Sequence, residues 1–135
     1  MKKIWPFFLL ILWMSSCKTS DEKVPNTDLD VARAFIQSSL SNHFDQASQY
    51  VLKNDQNIQY IDLCKRKFSS FSKTEQEHYK DADIIMNDIS YVVKDSVTII
   101  NYSNTYKKES KNVLKLVKTG GKWQVDLQYT FSGNL

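Results

Sequence analysis

The two cysteines and two histidines of this 135-residue chain are its first candidates for a nucleophile, for a general base near neutral pH and, together with carboxylates, for metal ligands. Cys64 precedes the cations 65–67, which could lower its pKa, but a catalytic thiolate also needs a base, and none stands at a suitable spacing. His78 follows Glu75 by three residues, and two ligands without a third do not form a metal site. His43 lies in a polar segment, residues 41–43, that interrupts the apolar periodicity after the first predicted helix. The sequence therefore predicts no catalytic residue, metal site or cofactor, and it predicts Cys64 to be a buried small hydrophobe.

The other cysteine, Cys17, follows a segment with the composition of a secretory leader. Lys2 and Lys3 are followed by the apolar stretch Ile4–Met14 and then by two small serines. As a helix, this apolar stretch would rise about 16 Å, roughly half the ~30 Å hydrocarbon core of a bilayer. We therefore expect residues 1–16 to be a signal peptide and not a retained membrane span.

The tetrapeptide Met14-Ser15-Ser16-Cys17 resembles the bacterial lipobox. The resemblance implies cleavage between Ser16 and Cys17, with diacylglycerol on the Cys17 sulfur and the chain held at a membrane by about two or three acyl chains. Met14 and Ser16 depart from the usual Leu and Gly or Ala but keep their apolar and small character. The alternative is an ordinary secretory leader with an incidental cysteine.

The resemblance also implies a location, a lipid-anchored position at the cell membrane. Lys18 follows the cysteine where the inner-membrane retention signal of enteric bacteria has Asp. This difference favours the outer membrane, at its periplasmic or its surface face.

Composition excludes several classes of protein. The chain has 18 Lys and Arg against 15 Asp and Glu, and removal of residues 1–16 with Lys2 and Lys3 leaves 16 minus 15, or +1. So small an excess argues against nucleic-acid binding. The sequence contains no glycine-rich phosphate loop and no Gly-x-Ser-x-Gly motif.

Residues 17–26 are polar and predict a tether, and residues 27–135 predict one domain.

Periodicity predicts three or four helices in the first half of this domain. Thr27 is the expected N-cap of a helix to Leu40, with apolar residues at three- and four-residue spacing. A second, short helix is expected over Phe44–Leu52 and a third helix over Ile58–Phe71. For Ser72–Lys80 the sequence leaves two alternatives, a further helix or a solvated loop.

The second half predicts four strands. They are Ile84–Val93, Val97–Tyr106, Asn112–Lys118 and Lys122–Phe131, the last with strict alternation after the Gly120-Gly121 turn. Helices followed by an antiparallel meander predict the α+β class, with the N-terminal helices packed on a four-stranded, cone-like sheet.

The segment Val113–Asp126 and the start of the second helix, Phe44–Ala47, resemble the nuclear-transport-factor-2-like superfamily, including its small bacterial lipoproteins. The resemblance implies a cone whose interior could hold a ligand. Its enzymes place an Asp–His or carboxylate pair there, which this chain does not supply, so we expect a non-catalytic module that binds an envelope protein or a small apolar ligand. The alternative is a small isomerase or hydratase-like enzyme using a cavity between helices and sheet. The expected pocket-lining residues are Phe35, Trp123, Leu127 and Tyr129.

Overall fold

The computed structural model describes residues 24–132, so Ser16, Cys17 and the leader lie outside the described residues. Helices precede a four-stranded antiparallel sheet, which confirms the predicted α+β class and is consistent with a cone-like architecture. In chain order the elements are α1 (Asp28–Leu40), α2 (Phe44–Ser48), α3 (Asp55–Ser69), α4 (Lys73–Lys80), β1 (Ile84–Val93), β2 (Val97–Asn104), β3 (Asn112–Thr119), β4 (Lys122–Asp126) and α5 (Leu127–Phe131).

Side-chain caps set where the helices begin. Thr27 Oγ1 accepts from the Asp30 N–H at 3.1 Å, so α1 starts where the sequence predicted. Helix α3 starts three residues before the predicted Ile58, because Asn54 Oδ1 accepts from a backbone N–H in its first turn at 2.8 Å. Ser72–Lys80, for which the sequence left helix and loop as alternatives, contains α4. The first turn of this helix is held by a capping box of Ser72 and Glu75.

One face of the sheet carries the core. Helix α1 buries its apolar stripe against this face, and the aromatic Phe35 is only 5% exposed. Ile100 of β2 lies opposite Leu114 of β3, and Leu116 lies opposite Val125 of β4, with all four side chains fully buried or nearly so. Because strand side chains alternate, the residues between them, such as Lys115, point to the other face of the sheet.

The prediction of a strand over Lys122–Phe131 is wrong beyond Asp126. The inward alternation continues through Leu127, but from there the chain forms α5. The Asp126 carboxylate caps this helix by accepting from the Gln128 N–H at 3.1 Å. Thr130 Oγ1 donates to the Val113 carbonyl at 2.7 Å, so α5 lies beside the half of β3 that β4 does not pair.

The predicted helix Phe44–Leu52 is also shorter than expected. Helix α2 ends at Ser48, because the next residues leave it to pair with the free edge of β4. The Leu52 N–H donates to the Val125 carbonyl at 2.8 Å, and the Val125 N–H donates to the Tyr50 carbonyl at 2.8 Å. These bonds satisfy backbone groups that a longer α2 would have left unpaired on the strand.

Candidate functional site

The expected pocket-lining residues belong mostly to the packed core. Phe35, Trp123 and Leu127 are 5%, 7% and 2% exposed and lie in one cluster of buried side chains. Tyr129, expected to point inward from a strand, is half-buried on α5, with its ring centroid 5.8 Å from Lys115 Nζ. All three pack in the core that α1 and the sheet share, and they do not line either of the two depressions described next.

A groove lies instead between α3 and the segment that follows α2. Its volume is about 300 Å³, at the lower end of the range for small-molecule sites. The pairing of Leu52 with Val125 holds this segment against β4 and leaves a cleft beside α3. We call it the α2–α3 groove; its lining residues are Ser48, Val51, Leu52, Lys53, Asn57, Ile58 and Ile61.

The side chains that line the α2–α3 groove are mostly apolar and include one cation. Four of its lining residues are aliphatic, and Lys53 is its only charged one. Ile58 of α3 is 62% exposed, so its side chain is accessible to a molecule in the groove. Asn57 is fully buried, and its Oδ1 already accepts from the Leu127 N–H at 2.9 Å. The groove can therefore hold an apolar group and pair one negative charge.

A second, more polar depression of about 280 Å³ surrounds the start of α2. It includes His43 and Asp45, both exposed, and Lys65 of α3. His43 occupies the N-cap position of α2 but makes no side-chain capping hydrogen bond. Exposed charges of both signs give this depression little that would distinguish one polar ligand from another.

Cys64 and Tyr102 contribute neutral groups to the region between α3 and the sheet. Burial raises the pKa of the Cys64 thiol, and the charge of Lys67 opposes this only in part. Burial also raises the pKa of the Tyr102 hydroxyl, and Coulomb repulsion from the Cys64 thiolate, when that group is ionised, adds to the increase. Since both groups are protonated near neutral pH, neither is an activated nucleophile or base there. Cys64 is a free, half-buried thiol, less enclosed than predicted.

The remaining titratable candidates have structural roles or face solvent. Glu75 accepts from the Ser72 N–H at 3.3 Å, and His78 is exposed and stacks on Tyr106 with ring centroids 4.9 Å apart. Within residues 24–132 no group of three His, Cys, Asp or Glu could hold a metal ion. Within the same range every Asp, Glu, His, Lys and Arg is exposed or half-buried.

Sequence reasoning missed the groove residues. The apolar pair Val51-Leu52 directly before a polar loop, together with Ile58 and Ile61 three residues apart, was the available signal. What the sequence did not show is that α2 ends early and that residues 50–52 pair with β4. That pairing opens the cleft.

No protein-family model matches the chain, and no curated protein and no solved structure matches it. None of the helices in the described part of the chain is long and apolar enough to cross a membrane.

Proposed function

We propose that this protein is a lipoprotein of the cell envelope, anchored through acyl chains on Cys17 and located at the outer membrane. The observation that carries the proposal is the order of residues 1–26: two lysines, eleven apolar residues from Ile4 to Met14, two serines, Cys17 and a polar segment. The folded body begins directly afterwards, at the Thr27 cap. A near-neutral mature chain fits a partner other than nucleic acid.

The anchor is tested by growing an expressing bacterium with an alkyne-labelled fatty acid. We expect label on the wild-type chain, none on Cys17→Ser, and full label on Cys64→Ser, which removes the only other thiol. Intact mass should show a chain that begins at Cys17 and carries acyl groups. An unlabelled wild-type chain, or a mature chain that keeps Met1, would refute the anchor.

The folded body acts, in this proposal, as a non-catalytic binding module whose ligand site is the α2–α3 groove. Support comes from its aliphatic walls and from the exposure of Ile58, which a bound apolar molecule would cover. Lys53 at the groove favours a ligand with a negatively charged group. An enzyme of the kind expected from the sequence resemblance needs a buried Asp, Glu or His, and the buried residues of the described chain include none.

Membership of the nuclear-transport-factor-2-like superfamily is part of the same proposal. The order of helices followed by an antiparallel meander supports it.

Groove binding is tested with 1-anilinonaphthalene-8-sulfonate, a probe that is both apolar and anionic. We expect Ile58→Glu to weaken probe binding about tenfold, because it places a negative charge on the apolar wall and removes apolar area. Leu63→Glu is the matched control, since Leu63 is also an exposed aliphatic residue of α3, at 43%, but does not line the groove. Equal binding by both variants would show that the probe does not occupy the groove.

A further inference from the structure

The end of the sheet at the β1–β2 turn carries three exposed apolar side chains in succession. Tyr91, Val92 and Val93 are 61%, 56% and 50% exposed. The pairing of β1 with β2 shifts register between Tyr91 and Val93, and Asp95 in the turn has a positive φ of 59°. We call these three residues the β1–β2 tip. Three exposed apolar residues in succession make the tip a candidate contact site.

The chain enters the folded body at this same end. Thr98 Oγ1 donates to Asp28 Oδ2 at the start of α1 with a distance of 2.6 Å, and Thr98 is the pairing partner of Tyr91. Cys17 precedes Asp28 by eleven residues, a span of at most about 40 Å when fully extended. An anchor on Cys17 therefore keeps the tip within a few tens of ångströms of the lipid surface.

The β3–β4 turn lies at the same end, because the Lys118 N–H donates to the Ser96 carbonyl at 2.9 Å. Three lysines lie here, and one of them pairs with Asp95 at 3.1 Å. The first turn of α1 adds two carboxylates, so the three positive and three negative formal charges at this end cancel, and the apolar side chains must supply any membrane contact. The charged residues involved are Lys94, Lys118, Lys122, Asp28, Asp30 and Asp95.

The opposite end of the sheet differs. Its β2–β3 loop, residues 105–111, has four exposed charged residues and lacks a run of exposed aliphatic side chains. Both ends carry charged residues, but a run of exposed apolar side chains is found at the end beside the start of α1 and not in the β2–β3 loop.

We propose that the β1–β2 tip is a second membrane contact, with Val92 and Val93 in the boundary between lipid headgroups and acyl chains and Tyr91 at headgroup level. This inference rests on the proposed lipid anchor. Tyr is enriched at membrane–water interfaces because its ring is apolar and its hydroxyl is polar. The contact adds to the membrane affinity that the acyl chains supply. It also fixes the orientation of the folded body, with the β2–β3 loop directed away from the bilayer.

The test uses the full acylated chain in phosphatidylcholine vesicles with brominated acyl chains, which quench nearby tryptophan. A mature chain that begins at Cys17 contains a single tryptophan, Trp123, which is 7% exposed and supplies a measured background. We expect added emission from Val92→Trp to be quenched and shifted to shorter wavelength. Added emission from Lys108→Trp, in the opposite loop, should be unchanged.

The outcomes separate the two proposals. An acylated chain in which Val92→Trp is no more quenched than Lys108→Trp overturns the membrane contact and leaves the anchor intact. If the added emission is not quenched and sedimentation shows a dimer, the tip is a contact between copies of the chain. This result also overturns the membrane contact. A chain without acyl mass overturns the anchor and the contact with it. Tyr91→Trp, a more conservative change, provides the same readout if Val92→Trp does not fold.

Discussion

The Asn57 side chain joins α3 to the junction of β4 and α5, and its removal should destabilise the fold. Asn57 is 0% exposed. Its Oδ1 accepts from the Leu127 N–H at 2.9 Å, and its Nδ2 donates to Asp126 Oδ1 at 3.4 Å. These two bonds span about seventy residues of sequence and hold the point at which the chain changes from strand to helix.

Asn57→Ala leaves the buried Leu127 N–H without its acceptor. A buried unpaired donor costs about 1–3 kcal/mol, and the missing amide adds a small cavity. We therefore expect the free energy of unfolding to fall by about 3 kcal/mol, a large share of the ~5–15 kcal/mol of a typical domain. With a urea m-value of about 1.5 kcal/mol per molar, the unfolding midpoint should fall by about 2 M.

Urea unfolding followed by circular dichroism measures this shift, and hydrogen exchange at the Leu127 amide locates it. Gln59→Ala, an exposed change in the same helix, should stay within about 0.5 kcal/mol of wild type. If Asn57→Ala moves the midpoint no more than this control does, Asn57 does not hold the junction and the reasoning from its hydrogen bonds is wrong.

Two further predictions concern groups on the inner face of β2. Thr98→Val keeps the shape of a buried side chain but removes the 2.6 Å hydrogen bond to Asp28, and should cost about 1.5–2 kcal/mol in urea unfolding. Tyr102 has a pKa raised by burial, so the stability gained from its neutral form is complete below its ordinary pKa and is lost as the pH rises above it. Between about pH 8 and pH 11, Tyr102→Phe should therefore lose about 1 kcal/mol less stability than wild type.

Each of these predictions has its own control. Thr74→Val changes an exposed threonine on α4 and should leave the unfolding midpoint near the wild-type value. Equal losses for Thr98→Val and Thr74→Val would contradict the role of the hydroxyl. Tyr91→Phe removes an exposed phenol and should keep the wild-type alkaline loss. If the stability of Tyr102→Phe falls with rising pH as much as that of Tyr91→Phe, the argument from the burial of Tyr102 is wrong.

Local signals predicted much of the fold. The Thr27 cap and the apolar spacing after it located α1, and the Gly120-Gly121 pair located a turn in which both glycines have positive φ, 58° and 75°. The start of α3 was missed although Asn54 is a strong cap type, because the prediction followed the apolar residues instead.

The remaining errors came from contacts between distant segments. Period-two alternation continues from Trp123 to Phe131 and is typical of a strand, but Asn57 and Thr130 make contacts that favour a helix after Asp126. Likewise α2 ends early because Val51 bridges to Val125. The apolar residues Val51, Leu52, Ile58 and Ile61 were visible in the sequence, but the groove also depends on this second contact, which no local pattern shows.

The free edge of β1 bears on the solubility of this protein. In the order β1-β2-β3-β4, β1 is an edge strand of ten residues. An unbroken edge of that length is a template for strands of neighbouring molecules. Two register shifts divide it, and the longest continuous run is Asp88–Tyr91. Short runs with locally increased twist pair poorly with a foreign strand, so the register shifts protect β1 against edge-to-edge aggregation.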